Sequence, residues 1–537
     1  MYAIFVLDLK IEKWKVTHGY GRHHRRSRPH RADARQPAGP ARESRALGVQ
    51  ARTLEIYSHL GIADQAVALG KRADGAVLWA QGRRAARVPL GDIGRDVSPY
   101  PYLLVLGQDD NERLLGEALR AQGMAVEWNT ELVGLAQDTD HVTATLKNPG
   151  GTRSEVTVPW LAGCDGARSS VRELSGIAFE GAPYQHVFFV ADVQMTGSMV
   201  PDVLNVYLWR SGFHLLFPMR GTDHWRIVGI LPPHLRGRDD VTFEETIPSL
   251  RQEAGTELSF QACNWYSTYR IHHRRAAKFH DRRCFLLGDA AHIHSPVGGQ
   301  GMNTGLQDAY NLAWKLALVV SGRAGAALVH SYEDERLPVA NHLLKRTDRL
   351  FSLVVSDSRL AGFVRTRVMP TIMGLALRTA VVQRIVFRTI SQTGIRYRAS
   401  PLSEGLAGLP EDGPRAGDRF PWLRLKFAPS GPTEDLFEKL DDTRFHLLLI
   451  GQGMPPSGIR ELGDLLRILE VPSDPANDRA LARARIPRVS SYLLRPDGHV
   501  ALAGTHVDAA AVTRYVRARL HFAGNGAGIV EKGLGEG

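Results

Sequence analysis

From Phe285 to Lys315 the chain reads FLLGDAAHIHSPVGGQGMNTGLQDAYNLAWK, an order of residues that admits few backbone paths. Phe285, Leu286 and Leu287 form a β-like apolar run that stops at Gly288-Asp289. A loop rich in proline and glycine follows (Pro296, Gly298, Gly299, Gly301), and the spacing predicts a helix from about Met302-Asn303. Strand, glycine loop and helix N-terminus together make a device for holding anionic or electron-rich groups. Glycines let the backbone approach the ligand, and unpaired N–H groups at the positive helix end face it. Asp289, at the strand end, can accept hydrogen bonds from ligand hydroxyls. The pattern points to a nucleotide-type ligand, although a plain glycine turn has the same outline.

A second segment follows the same plan. Gly163-Cys164-Asp165-Gly166-Ala167-Arg168-Ser169-Ser170-Val171-Arg172 ends a strand-like run (Thr157, Val158, Trp160, Leu161) and opens a helix. The first segment closely resembles the second flavin-binding motif of the single-component flavoprotein aromatic hydroxylases, the fold group of p-hydroxybenzoate hydroxylase and phenol hydroxylase. It is most similar to the branch acting on phenols, phenylpropionates and aromatic polyketides. The second segment resembles the family's DG motif. A third, Ser44 to Ile56 (SRALGVQARTLEI), resembles the stretch that runs along the cofactor. The three stand in the family's order, and the resemblance spans roughly Asp33 to the C-terminus.

The resemblance implies an α/β (α+β multi-domain) chain: a glutathione-reductase-type FAD-binding fold, an inserted antiparallel substrate sheet and a C-terminal thioredoxin-like domain. The divisions it implies are 1–31, an atypical basic segment, disordered or misassigned; 32–180 and 271–399, the two parts of the FAD-binding domain; 181–270, the substrate sheet; and 400–537, linker and thioredoxin-like domain. That last domain holds no cysteine, so it cannot perform dithiol chemistry, and its expected role is structural, as an interface that would suit a homodimer.

The same resemblance supplies site residues. Asp289 would hold the ribityl chain, with Gly299, Gln300 and Gly301 against the isoalloxazine. The backbone N–H groups of Met302 and Asn303 would meet the flavin pyrimidine edge. Asp33 would bind the adenosine ribose, Arg45 the phosphates or a mobile flavin, and Gln108 the ribityl and dimethylbenzene side, unless it only caps a helix. Asp165 would link the DG strand to the cofactor and to a transient nicotinamide site. Pro296 would shape the loop facing the reacting ring. Tyr207 and His214, on the expected meander, are candidates to touch a phenol; a satisfied structural Tyr or His is the plainer role for each. The implied activity is FAD-dependent hydroxylation of a phenolic or polyketide aromatic with NAD(P)H and O2, through a flavin 4a-hydroperoxide. Two other readings stand beside it: a flavin-deficient homologue acting as an interaction protein, and a same-fold flavin reductase or halogenase. The Trp-x-Trp-x-Ile-Pro stretch of the halogenases is absent.

The family pattern fails at the N-terminus. A strand, a GxGxxG turn and a helix should seat the ADP pyrophosphate there. The chain has Thr17-His18-Gly19-Tyr20-Gly21-Arg22-His23-His24 instead, with His24 in place of the third glycine and an Arg/His-rich stretch behind it. Without apolar periodicity no amphipathic helix can pack there. Either the first 31 or so residues are a misassigned start, or the protein is a divergent one with weak flavin binding. The histidines at 18, 23, 24 and 30 lack carboxylates or cysteines at fixed spacing, so a basic tail is expected there and no metal site.

Composition narrows the partners. At 537 residues the chain has room for two to four domains with real cores. The longest apolar stretch, Leu312 to Val329, is interrupted by Lys315 and Arg323 and falls short of a membrane span, so no membrane partner is expected. Tyr2 to Leu7 is too short for the apolar core of a signal peptide. Three cysteines without CxxC spacing fit a reducing, cytoplasmic setting. Residues 1–52 hold twelve Lys/Arg against four Asp/Glu, a net +8 of the chain's +11, so the charge marks one end and no basic face. With no aromatics interleaved in the basic run Arg22 to Arg31 and no nucleic-acid module behind it, nucleic acid is not an expected partner.

The remaining periodicity predicts a helix over Thr53 to Ala68 weakened by Gly61, and another over Asn111 to Gln122. From 181 to 269 short β-rich runs and turns predict a meander, with Asn205, Tyr207 and Trp209 on one face and His214, Leu216 and Pro218 on another. In the helix after the second motif, Leu306, Ala309, Ala313, Leu316 and Val320 mark the face expected to be buried. Ser400 to Arg419 reads as a linker. Phe445 to Ile450, Ser491 to Leu494 and His499 to Leu502 read as strands, and Ala509 to Leu520 as a helix.

Overall fold

The apolar runs that precede the two motifs, Trp160–Cys164 and Cys284–Leu286, pair in parallel, with Leu161 opposite Cys284 and Gly163 opposite Leu286. Parallel pairs are stable only when both faces are covered, and Leu161, Ala162, Cys284, Phe285 and Leu286 are all buried. The computed structural model describes residues 3–7, 47–210, 212–238, 240–294, 299–356, 358–406, 408–453, 463–506 and 508–520. Within them Ala3–Leu7 pairs antiparallel with Trp160–Cys164, and His280–Asp281 closes the other edge of this four-stranded sheet. Within the segment 1–31, expected to be disordered or misassigned, Ala3–Leu7 forms a strand from its apolar run.

Seven helices frame the site and its surroundings: α1 (Ala51–His59), α2 (Phe243–Ala254), α3 (Gly301–Val320), α4 (Ala327–Val355), α5 (Arg359–Phe363), α6 (Met369–Ala376) and α7 (Ala380–Ile390). The single helix expected over Thr53–Ala68 is two, α1 and Ala63–Leu69. Gly61 stands between them at φ +71, a left-handed turn that ends a helix at little cost to glycine. Gln108–Ala121 starts three residues before its expected beginning.

The meander is the centre of an eight-stranded sheet. In spatial order its strands are His292–Ile293, Leu258–Ala276, Phe179–Gly197, His224–Ile230, Gly212–Pro218, Leu204–Trp209, Ala76–Ala80 and Arg83–Val88. Two strands from before the DG motif thus complete a sheet that local periodicity confined to 181–269, and Ala76–Ala80 joins it in parallel. Tyr207 lies opposite His214 and Asn205 opposite Leu216, so these residues share one face, contrary to the two-face expectation. A tight turn reverses the chain between them, so alternation counted within each strand says nothing about their relative faces. That face packs on α2: Tyr207, Leu216, Phe189 and Ile227 form one core with Phe243 and Leu250. The opposite face carries Phe188, Leu208, Phe213 and Val228, which pack with Leu47, Ala51 and the α6–α7 residues Leu377 and Phe387.

The C-terminal part is a five-stranded sheet in the order Glu404–Gly405, Val500–Gly504, Ser490–Leu494, Phe445–Ile450, Leu466–Val471. Phe445–Ile450, Ser490–Leu494, Val500–Gly504 and the helix Ala509–Arg519 fall within two residues of their expected bounds, while Glu404–Gly405 and Leu466–Val471 are strands that the periodicity did not mark. The expected linker over 400–419 is instead bound down. Tyr397 N–H donates to Gly417 O at 2.7 Å, Gly417 N–H to Val500 O at 2.8 Å, and Ser400 Oγ to Glu335 Oε1 at 2.7 Å. The expected buried face of α3 is also displaced, since Ala309 and Ala313 are exposed while Asp308, Asn311 and Lys315 are buried.

Candidate active site

The GD turn hangs on a residue outside the motif's expected ligand set. Asp308, fully buried on α3, accepts from Gly288 N–H at 3.0 Å, Arg336 Nε at 2.6 Å and His292 Nε2 at 2.8 Å. Burial pushes its carboxyl up, but Arg336 and His292 outweigh that and hold it below the usual carboxylate range. Arg336 also donates to Thr304 O at 3.2 Å, so one acid ties the turn to two helices. Gly288 and Gly305 are in backbone contact: a Cβ on Gly305 would come within 3.1 Å of Gly288 Cα. Sequence reasoning missed Asp308, His292 and Arg336. Their one signal, charged residues inside otherwise apolar periodicity, is shared by every solvated helix face.

With the turn fixed, Asp289 faces open space. Its side chain is exposed, yet protein surrounds it closely enough that burial raises its carboxyl above the usual range, with His292 opposing. The carboxyl group is both reachable and desolvated, and among the described residues nothing donates to it. Asp165 has one oxygen bound to Val171 N–H at 3.0 Å, while its Oδ1 is buried without a hydrogen-bond partner. The DG turn is tight: a Cβ on Gly163 would meet Val171 Cβ at 2.8 Å.

The third side is the start of α3. Thr304 N–H is the first to reach back, to Gln300 O at 2.9 Å. Among the described residues no acceptor meets the N–H groups of Gly301, Met302 and Asn303, so three donors stand at the positive end of a twenty-residue helix. The Asn303 side chain is a latch: it donates to Gly48 O at 2.7 Å and Gly299 O at 2.9 Å, and accepts from Gln50 N–H and Thr53 Oγ, each at 2.8 Å. It clips the third sequence element, 44–56, to the glycine loop. Gly299 takes φ +61, and a Cβ there would stand 3.9 Å from Gln50 Nε2. Gln300 donates to Thr389 O at 3.0 Å, which ties the loop to α7. Gln108 donates to Glu112 Oε1 at 2.9 Å within its own helix, which reaches the site through Asn111, 3.6 Å from Met302 Sδ.

Asp165 and Asp289 thus follow the ends of two paired strands, and the Gly288–Gly305 contact sets the second of them beside the start of α3, where Gly299, Gln300, Gly301, Met302 and Asn303 lie. Pro296, Asp33 and Arg45 lie outside the described residues. Tyr207 and His214, candidates either to touch a phenol or to serve as structural residues, lie on the α2 side of the sheet. Tyr207 stacks on Trp79 at 5.2 Å, and His214 Nε2 bonds Glu253 Oε2 of α2 at 2.7 Å, both on the sheet face turned from Leu47 and Ala51.

Residues 35–347 match the family described as FAD binding domain. The chain belongs to that family. Its curated relatives are aromatic monooxygenases. This FAD-domain chain is 35% identical over 507 residues to 6-methylpretetramide 4-monooxygenase of Streptomyces rimosus, covering 90% of this chain and 88% of the relative. It is 29% identical over 468 residues to pentachlorophenol 4-monooxygenase of Sphingobium chlorophenolicum, covering 85% and 79%. Among solved structures, OxyS anhydrotetracycline hydroxylase from Streptomyces rimosus matches with a TM-score of 0.69 at 28% identity, over 89% of this chain and 92% of that one.

The site fits the flavin half of FAD by its chemistry. A desolvated carboxyl group and a buried Asp165 oxygen without a partner suit ligand hydroxyls, and three N–H groups that meet no acceptor among the described residues suit an electron-rich ring edge. The phosphate half is a different matter. Ala3 lies opposite Cys164 and Leu7 opposite Trp160, so the C-terminal end of this first strand lies away from Asp165. A phosphate turn following a strand needs the reverse direction. We therefore expect that replacing residues 1–31 with a strand–GxGxxG–helix unit raises FAD affinity by about ten- to a hundred-fold, the worth of one regained charge-assisted hydrogen bond. A fluorescence titration giving equal Kd for the two chains would contradict this.

Proposed function

We propose that the chain hydroxylates a phenolic or polyketide aromatic, with FAD as cofactor, NAD(P)H as transient co-substrate and O2 as the source of oxygen. Bound FAD would supply the redox chemistry, taking a hydride from NAD(P)H and activating O2 for transfer of one oxygen atom to the ring. Asp289 and Asp165 would bind cofactor hydroxyls, and the N–H groups of Met302 and Asn303 would hold negative charge at the ring edge. Gly299, Gln300 and Gly301 would lie against the ring system, and Pro296 would shape the loop facing the reacting ring. Asp33, Arg45 and Gln108 keep the roles that the resemblance gives them.

The observation that carries this reading is the site: a desolvated acid, a buried acid oxygen without a partner and helix N–H groups that meet no acceptor among the described residues lie within the matched segment 35–347. Support for an aromatic substrate comes from the sheet face toward Leu47 and Ala51, where Leu215, Trp265 and Tyr269 remain half-buried beside Phe188 and Phe213. An apolar wall with few polar groups is what a ligand site of this kind needs, and it keeps water from the reacting atoms. In this reading 32–180 and 271–399 bind FAD and the sheet of 181–270 roofs the substrate. The five-stranded unit within 400–537 is thioredoxin-like and structural.

Trp265→Ala and Tyr269→Ala are expected to raise KM for the aromatic substrate about ten-fold or more, the worth of one aromatic contact surface, with FAD content unchanged. Tyr207→Phe, on the α2 side, should change neither. Steady-state kinetics with flavin absorbance checks both; a KM shift confined to Tyr207→Phe would place the pocket on the opposite face.

A further inference from the structure

The six most exposed large apolar side chains among the described residues all lie on α5, α6 and α7. Leu360, Phe363, Ile372, Leu375, Val381 and Ile385 are each 58–71% exposed. They fall in i,i+3 or i,i+4 pairs, so each helix presents one outward apolar face. The inward faces are apolar as well, with Met369, Met373 and Phe387 packed on the sheet core. A helix apolar on both sides has a second partner to cover.

The charges around this face have one sign. Residues 359–390 contain six arginines and no acid, and Arg359, Arg367, Arg378, Arg384 and Arg388 are exposed. The neighbouring edge strand adds exposed Arg83, Arg84 and Arg87, and α6 touches it, with the Cβ position of Gly374 3.8 Å from Ala85 O. Among the described residues no ion pair reaches any of these eight arginines. An isologous contact with a second copy would set two such arrays against each other, which like-charge repulsion opposes. Among the described residues no single helix is long and apolar enough to cross a membrane, and α5–α6 meets α7 at 110°. A fluid, flat, anionic surface can take both apolar faces between the arginines, whose stems bury while their heads reach phosphate.

We propose that α5–α7, with the edge strand Arg83–Val88, rests in the plane of an anionic lipid surface. The sequence expectation of no membrane partner rested on the want of an apolar run of spanning length, which does not bear on an in-plane contact. The test is co-sedimentation of the full chain with phosphatidylglycerol vesicles and with phosphatidylcholine vesicles. Binding to the first and not the second is expected. At roughly five-fold per arginine, Arg378→Gln/Arg384→Gln should weaken partitioning about 25-fold. Leu375→Ser/Ile385→Ser should weaken it by about ten-fold or more with unchanged melting, since both positions are exposed. Failure of the parent chain to sediment with phosphatidylglycerol overturns the proposal without any variant. Full binding by both variants also overturns it and assigns binding to the basic N-terminus. A Leu375→Ser/Ile385→Ser chain that binds like the parent points to charge alone, as an acidic protein would use. A parent dimer that this variant disperses makes a second copy the occupant.

Discussion

Glu335→Ala is expected to cost about 3–5 kcal/mol of folding stability, because it strands the buried Lys315 ammonium and leaves the buried Arg495 guanidinium with Asp497 alone. Glu335 is fully enclosed on α4. Its Oε2 accepts from Lys315 Nζ at 2.9 Å, Asn311 Nδ2 at 2.6 Å and Arg495 Nη2 at 3.1 Å, and its Oε1 accepts from Ser400 Oγ and Arg495 Nη1. One carboxylate thus joins the FAD-binding helices to the turn between two C-terminal strands. Burial alone would push its carboxyl up; Arg495 and Lys315 overcome that and hold it below the usual carboxylate range. A carboxyl whose folded pKa is depressed stabilises the fold above its unfolded pKa, and that stability is lost as pH falls below it toward the folded value. The parent should therefore lose stability below about pH 4.5 through this group, and Glu335→Ala should lack that component. Chemical denaturation across pH checks it: a loss under about 1 kcal/mol at neutral pH would mean the network contributes no stability.

Asp289→Ala is expected to lower FAD affinity by an order of magnitude or more, with the fold intact. A hydrogen bond to a charged group is worth about 1.5–3 kcal/mol, and tenfold in affinity is about 1.4 kcal/mol. The same substitution should leave the flavin-free protein at least as stable at neutral pH. Burial raises this carboxyl, so the ionised form is disfavoured in the fold, and the penalty grows as pH rises above the unfolded value. Loss of flavin with unchanged or higher melting separates a ligand-binding acid from a structural one. Equal flavin content after gel filtration of mutant and parent would remove Asp289 from the site.

Much of the site was legible because its chemistry is local. Gly288-Asp289, Gly299, Gly301 and the start of α3 lie within one short run, and strand, turn and helix each announce themselves by composition. The failures share a cause, which is pairing over long sequence distances. Asp308, Arg336, Lys315 and Glu335 are buried because partners far along the chain neutralise them, so a search for the apolar face of α3 chose Ala309 and Ala313, which are exposed. Tyr207 and His214 were misplaced because a face is defined by what covers it, and α2 arrives from residue 243 onward. The linker reading of 400–419 failed in the same way: Pro and Gly mark irregular backbone, not the absence of partners such as Glu335 and Val500.

The central claim is aromatic hydroxylation on bound flavin, and the most direct measurement is NAD(P)H oxidation by the flavin-reconstituted chain against a panel of phenols, phenylpropionates and aromatic polyketides, with isotopically labelled O2 and product mass read together. The account predicts that at least one of these aromatics accelerates NAD(P)H consumption and leaves as a hydroxylated product carrying one labelled oxygen. Oxidation that no aromatic accelerates, with hydrogen peroxide as its sole oxygen product across the panel, would contradict it.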